Sequence, residues 1–178
     1  MTENEWIKDF FTADFISPDL TNIESVKNFA ILWNLFERYF CDKNANLKKI
    51  QDNINKLSES NYSFPQIIYD DYYTYCRKRY LIEDKTNELF ESLLFRENAA
   101  ENKYKELLKS ILENSESESK KKVFACFIII YRLRNNLFHG SKNIATIDEQ
   151  NDNFERANKV LMTFLSFLKS SGKLIDKI

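Results

Sequence analysis

The chain has 178 residues and a formal net charge of −1 at pH 7. Hydrophobic residues make up 43% of it and charged residues 30%, which excludes a disordered tail and provides apolar mass for one core. It contains only two glycines and two prolines, too few for the turns of an all-β sandwich or barrel, and no glycine-rich phosphate loop can be built from them.

Three cysteines and a single histidine argue against a metal site or a disulfide framework. Cys41, Cys76 and Cys126 are widely spaced and form no C-x-x-C pair, so we expect buried, reduced thiols and no metal or other cofactor. The N-terminus is acidic where a signal peptide is basic, and the longest apolar run, residues 123–131, is about half the length of a bilayer span. These features predict a cytoplasmic protein with no membrane contact.

Helical periodicity dominates the first half of the chain. Residues 6–15 predict a short amphipathic helix that ends before a Ser-Pro pair, and apolar residues at helical spacing predict a second helix over 23–40. Residues 46–58 predict a weaker amphipathic helix, and a further helix is expected from about Pro65 toward Arg79. The aromatic stripe of the second helix is expected in the core. The tyrosines between 69 and 80 are expected at the edge of the core or in an interface, with a base-stacking platform as the alternative.

The second half continues the same pattern. Helical spacing of apolar residues appears over 89–94 and 104–111, and a Ser-Glu repeat at 115–119 predicts a solvated loop. The most apolar helix is expected over 121–139, and a final amphipathic helix over about 148–171. The chain therefore predicts one all-α domain over residues 1–178, an antiparallel bundle of five to seven helices.

The segment from Tyr131 to Lys142 is the most informative for function. It contains the only histidine, His139, with Arg132 seven residues and Arg134 five residues before it. Imidazole has an unperturbed pKa of about 6.5, which suits proton transfer, and guanidinium groups bind phosphate with two hydrogen bonds. This combination points to a phosphodiester site.

Helix geometry constrains that site. Arg132, Asn135 and His139 share one face of a regular helix, whereas Arg134 lies about 140° away from His139. Either His139 turns back from a helix end terminated by Gly140, or the two side chains lie on different sides of a cleft. A two-fold dimer would place a second arginine and histidine opposite the first pair.

Charge along the chain supports a phosphate ligand at this end of the molecule. Residues 120–147 contain six lysines or arginines and no acidic residue. We expect Arg132, Asn136 and Lys142 to contact the substrate. A lone histidine at a helix end is nevertheless more often a cap than a catalyst.

The string from Arg134 to Gly140 resembles the signature of the HEPN superfamily (higher eukaryotes and prokaryotes nucleotide-binding domains). That signature is an arginine, usually followed by a polar residue, with four to six residues between the arginine and a histidine. The stretch from Phe29 to Glu37 also resembles the aromatic-rich core helix of small stand-alone members.

The resemblance implies an all-α bundle that dimerises with its motif helices facing each other. Many members are metal-independent endoribonucleases of toxin–antitoxin or antiviral systems, so it implies RNA and an antitoxin or regulatory protein as partners. Carried over, His139 would be the general acid or base, Arg134 would bind or stabilise the scissile phosphate, and Asn135 would act by orienting or by hydrogen bonding. Arg132 fits the longer spacing and is an alternative motif arginine.

The implied reaction is attack of a ribose 2′-hydroxyl on the adjacent phosphate, which leaves a 2′,3′-cyclic phosphate and a 5′-hydroxyl without a metal. Some toxins of the family carry a tyrosine two residues after the histidine that a partner enzyme modifies; here the residue is Ser141. The family also contains non-catalytic members, so a helical module that binds a protein partner or a nucleotide is the alternative.

Overall fold

The computed structural model describes residues 1–2, 5–6, 9, 24–59, 64–138 and 150–175. Within them the chain forms α1 (Glu24–Cys41), α2 (Leu47–Glu59), α3 (Asp70–Tyr80), α4 (Glu88–Glu91), α5 (Ala99–Glu113), α6 (Ser119–Phe138) and α7 (Asn151–Ser170). A 3-10 turn, Gln66–Ile68, precedes α3, and a two-stranded hairpin, β1 (Leu81–Ile82) and β2 (Lys85–Thr86), follows it. The mostly helical fold is confirmed, while the helix expected over 6–15 lies largely outside the described residues.

Helices α1, α6 and α7 meet at an aromatic centre. The ring of Phe36 on α1 stacks on Phe127 of α6 at 4.8 Å, and Phe164 of α7 meets both Phe127 and Phe40 edge-on at 4.7 and 4.9 Å. Phe29, earlier on α1, contacts Phe154, earlier on α7. Together with the contact between Phe40 and Phe164, this shows that α1 and α7 run in the same direction. Helix α6 runs opposite to α1, since its later residue Tyr131 lies beside the earlier Trp33.

Helix α6 is the central element of this core. Every side chain from Val123 to Ile130 is at most 4% exposed, so the helix is covered on all sides. This helix, Ser119–Phe138, lies where the sequence predicts the most apolar helix over 121–139. The expected burial of the aromatic stripe on α1 is confirmed as well, with Trp33, Phe36 and Phe40 all buried.

The tyrosines around α3 also belong to the core. Four of them are buried and Tyr75 is half-buried. The hydroxyl of Tyr73 donates to the carbonyl oxygen of Ile111 at 2.7 Å, and that of Tyr72 to Oδ1 of Asn153 at 3.1 Å. These bonds tie α3 to α5 and α7, because a buried phenol needs a hydrogen-bond partner.

The β-hairpin after α3 was not indicated by the sequence pattern. Its two-residue strands are too short to show alternation, and its turn residues Glu83 and Asp84 have positive φ angles of 49° and 58°. Glycine or asparagine normally marks such a turn. An ion pair of 2.7 Å between Arg77 and Asp84 holds the turn against α3.

Glu37 lies near the end of α1 and contacts the loop that follows the helix. It is half-buried, and its Oε1 accepts a hydrogen bond from the backbone N–H of Ala45 at 3.0 Å. This bond closes the loop after α1, where Asp42 and Lys43 both have positive φ. Glu37 thus stabilises a helix end.

The three thiols give a direct test of this packing. All three cysteines are buried and free, and burial raises the pKa of Cys41 to about 12 and also raises the pKa of Cys76 and Cys126. The reactive thiolate is therefore scarce below pH 9.

We expect a disulfide reagent at pH 8 to label no cysteine in the native protein and three in denaturant. Rapid labelling of one native thiol would contradict this packing.

Candidate functional site

The candidate site lies at the C-terminal end of α6, and the described part of that helix ends at Phe138. Arg132, Arg134, Asn135 and Asn136 are described. His139 and Lys142 lie outside the described residues, as does the expected C-terminal glycine of this helix.

Arg134 is half-buried and lies among aromatic rings. Its Cζ is 6.0 Å from the ring centroid of the buried Trp33 and 5.4 Å from that of the exposed Phe138. One terminal nitrogen donates to Oδ1 of Asn135 at 3.1 Å. No carboxylate lies within 4.0 Å of the guanidinium in the described part of the chain.

Two hydrogen-bond donors at this place have no acceptor among the described residues. Nε of Arg134 and Nε1 of Trp33 are both buried, and neither donates a hydrogen bond within the residues that the structure describes. A buried donor without an acceptor costs about 1–3 kcal/mol. The end of α6 therefore presents a positive charge whose hydrogen-bonding capacity is only partly used.

Asn135 and Asn136 are both buried but bind different partners. Asn135 is buried and accepts the bond from Arg134, which limits the orientations of the guanidinium. Asn136 is also buried, and its Nδ2 donates to the carbonyl oxygens of Ser92 and Leu93, both at 3.3 Å. A substrate-binding role for Asn136 would require these bonds to break.

Arg132 is buried and fully engaged. Its Nε donates to the carbonyl oxygen of Leu93 at 2.9 Å, one terminal nitrogen donates to the carbonyl oxygen of Leu94, and the other pairs with Oε2 of Glu101 at 3.1 Å. The guanidinium also lies over the ring of Phe95 at 5.2 Å. Burial lowers the pKa of Arg132, and the carboxylate of Glu101 opposes this shift.

The structure thus separates the two candidate arginines. The nitrogens of Arg132 are occupied by the protein, whereas Arg134 keeps an unused donor and no described acidic partner. Arg132 and Asn136 lie four residues apart and share one face of a buried helix. This spacing could have indicated that their side chains bind inside the protein, because polar groups on a buried face need internal acceptors. It could not show that the acceptors belong to the loop between α4 and α5, where Leu94 has a φ of 51°.

The basic residues of α6 do not form one patch. Residues 120–122 lie in its first turn, about 18 Å along the axis from Arg134. The ammonium of Lys122 lies over the ring of Tyr73 at 5.4 Å, and the charge of Arg132 is compensated by Glu101. Among the described residues of this helix, Arg134 carries the uncompensated positive charge at its C-terminal end.

Comparisons of the chain with protein-family models, curated proteins and solved structures find no match. In the described ranges no group of three or more histidines, cysteines or acidic residues is placed to hold a metal ion. None of the described helices combines the length and the apolar character needed to cross a bilayer.

The two arginines should differ in their contribution to stability. We expect Arg132→Ala to lower the free energy of unfolding by about 3 kcal/mol, because it removes the partner of Glu101, the hydrogen bond to the carbonyl oxygen of Leu94 and one of the two hydrogen bonds to that of Leu93. Arg134→Ala should lower it by less than about 1 kcal/mol, since no buried ion pair is broken. Chemical denaturation of both variants measures this, and equal losses would contradict the assignment.

Proposed function

We propose that the protein is a metal-independent endoribonuclease of the HEPN type that acts in the cytoplasm in toxin–antitoxin function or antiviral defence. The observation that carries the proposal is the uncompensated guanidinium of Arg134, five residues before the only histidine of the chain. Nothing else in the described part of α6 offers an accessible cation at this end.

The surroundings of Arg134 suit a phosphate ligand. The guanidinium lies over aromatic rings and is held by Asn135. Its remaining donors are therefore preorganised, and an anion that accepts from them gains more than it would from a freely moving side chain. Phe138, which is 54% exposed beside the guanidinium, offers a surface on which a nucleobase can stack.

The proposed reaction is an internal displacement at phosphorus. A base takes the proton of the ribose 2′-hydroxyl, the 2′-oxygen attacks the adjacent phosphorus, and the bond to the 5′-oxygen breaks as an acid protonates that oxygen. His139 acts as base or acid, Arg134 stabilises the charge on the phosphoryl oxygens, and Asn135 orients Arg134. The products are a 2′,3′-cyclic phosphate and a 5′-hydroxyl.

The proposal includes a homodimer in which the motif helices face each other, so that two histidines can supply the acid and the base. RNA is the substrate. An antitoxin or a regulatory protein restrains the activity, and because residue 141 is serine, this restraint does not act through a tyrosine two residues after the histidine.

A second candidate is a non-catalytic module that binds a protein partner or a nucleotide. The exposure of Phe138 beside Arg134 favours it, because an apolar ring next to a cation also suits an acidic peptide. This module would bind its ligand without turnover.

Cleavage of single-stranded RNA in the presence of EDTA tests the proposal. We expect cleavage by the unaltered protein, a loss of about 10²–10⁴-fold in rate for His139→Ala, and a loss of about 10²-fold or more for Arg134→Ala. The products should carry 2′,3′-cyclic phosphates, which resist a phosphatase until the ring is opened by acid.

Arg96→Ala is the matched control, since it removes an exposed arginine and changes the net charge equally. It should cleave RNA at the rate of the unaltered protein. Equal cleavage by the His139→Ala variant would reject the assignment, and binding without cleavage by the unaltered protein would favour the second candidate.

A further inference from the structure

Trp33 of α1 brings a second hydrogen-bond donor to the neighbourhood of Arg134. Its indole ring is 3% exposed, and the ring centroid lies 6.0 Å from Cζ of Arg134. Nε1 of Trp33 and Nε of Arg134 are both buried, and no described residue accepts a hydrogen bond from either. An indole N–H and a guanidinium N–H can only donate, so both require an acceptor.

One edge of the guanidinium is the part without acceptors among the described residues. Nη1 of Arg134 donates to Oδ1 of Asn135 at 3.1 Å, whereas Nε and Nη2 donate to none of the side chains or carbonyl oxygens that the structure describes. The N–H bonds of Nε and Nη2 point the same way along one edge of the planar group. Such an edge binds two oxygens of an oxyanion through parallel hydrogen bonds.

The surroundings of the two donors favour an anion over a neutral acceptor. Trp33 packs against the rings of Phe36 at 5.3 Å and Tyr131 at 6.0 Å, and Phe138 lies 5.4 Å from the guanidinium. Within the described ranges no carboxylate lies within 4.0 Å of Arg134. A water molecule could accept from both nitrogens, but it would leave the half-buried charge without a counter-charge, which an anion supplies.

We propose that Trp33 and Arg134 bind one phosphate group together. The edge formed by Nε and Nη2 of Arg134 donates to two phosphate oxygens, and Nε1 of Trp33 donates a third hydrogen bond to one of them. The source of this phosphate, the scissile phosphodiester of a single-stranded RNA, rests on the proposed function. Trp33 is then a phosphate-binding residue, a role that its place in the aromatic stripe of α1 does not indicate.

The phosphate enters beside Phe138. Because Nε1 of Trp33 and Nε of Arg134 are buried, a ligand oxygen reaches them only when a neighbouring side chain moves. Phe138 is 54% exposed, contacts the guanidinium, and is the last described residue of α6. Exposed side chains change rotamer in picoseconds to nanoseconds, so this movement does not limit binding.

The indole N–H of Trp33 gives a direct test by NMR. The chain has two tryptophans, so isotope labelling of tryptophan nitrogen gives two indole signals, and Trp6→Phe assigns them. Sodium phosphate, exchanged for sodium chloride at constant ionic strength, should move the signal of Trp33 downfield, as a new hydrogen bond does. The signal of Trp6, which is 55% exposed, should stay in place. A short 2′-O-methyl RNA, which cannot be cleaved because its 2′-oxygen carries no proton, should move the Trp33 signal in the same direction.

Two variants test the individual donors. Trp33→Phe removes the N–H and keeps an aromatic ring beside the guanidinium, so phosphate binding, measured by the rise in Tm with phosphate concentration, should weaken at least about tenfold. Arg134→Gln should abolish the rise, and Trp6→Phe, the matched control, should bind like the unaltered protein. Each variant is compared with itself without phosphate, so a loss of packing in Trp33→Phe does not imitate the effect.

The response of Trp33 to phosphate and the cleavage of RNA are independent results. A Trp33 signal that phosphate leaves in place, or equal phosphate binding by Trp33→Phe and the unaltered protein, would overturn the shared phosphate site even if the protein cleaves RNA. A response to phosphate without one to the 2′-O-methyl RNA would overturn the assignment of the phosphate to RNA. A response to both in a protein that does not cleave RNA would support the site and favour the second candidate function.

Discussion

The enclosure of the middle of helix α6 is the constraint on which the rest of the structure depends. From Val123 to Ile130 no face of the helix reaches solvent, so any polar side chain on it must find a partner inside the protein. Arg132 and Asn136 meet this requirement by binding the carbonyl oxygens of the loop between α4 and α5. The loop is fixed in turn, and the end of α6 is held against α5 by the ion pair with Glu101.

Arg134 differs from Arg132 and Asn136 in that its hydrogen-bonding capacity is not satisfied within the described part of the protein. It is on the same helix, close to two polar residues whose bonding is satisfied, yet it keeps a buried Nε without an acceptor in the described part of the chain. Its contacts are with rings and with the adjacent Asn135, which position the guanidinium without neutralising it. No described carboxylate neutralises this charge, and this supports the proposed phosphate chemistry more than the number of basic residues on α6 does.

The periodicity of apolar residues determined the helical class, the approximate bounds of α1, α2, α5, α6 and α7, and the burial of the aromatic stripe, because these follow from local spacing. It did not reveal the hairpin after α3 or the role of Glu37, since positive φ angles at non-glycine residues carry no strong sequence signal. It also could not rank Arg132 against Arg134. Both are arginines near the end of the same helix. Only the tertiary structure, by bringing Glu101 and the carbonyl oxygens of residues 93 and 94 to Arg132, decided which of the two is held by the protein itself.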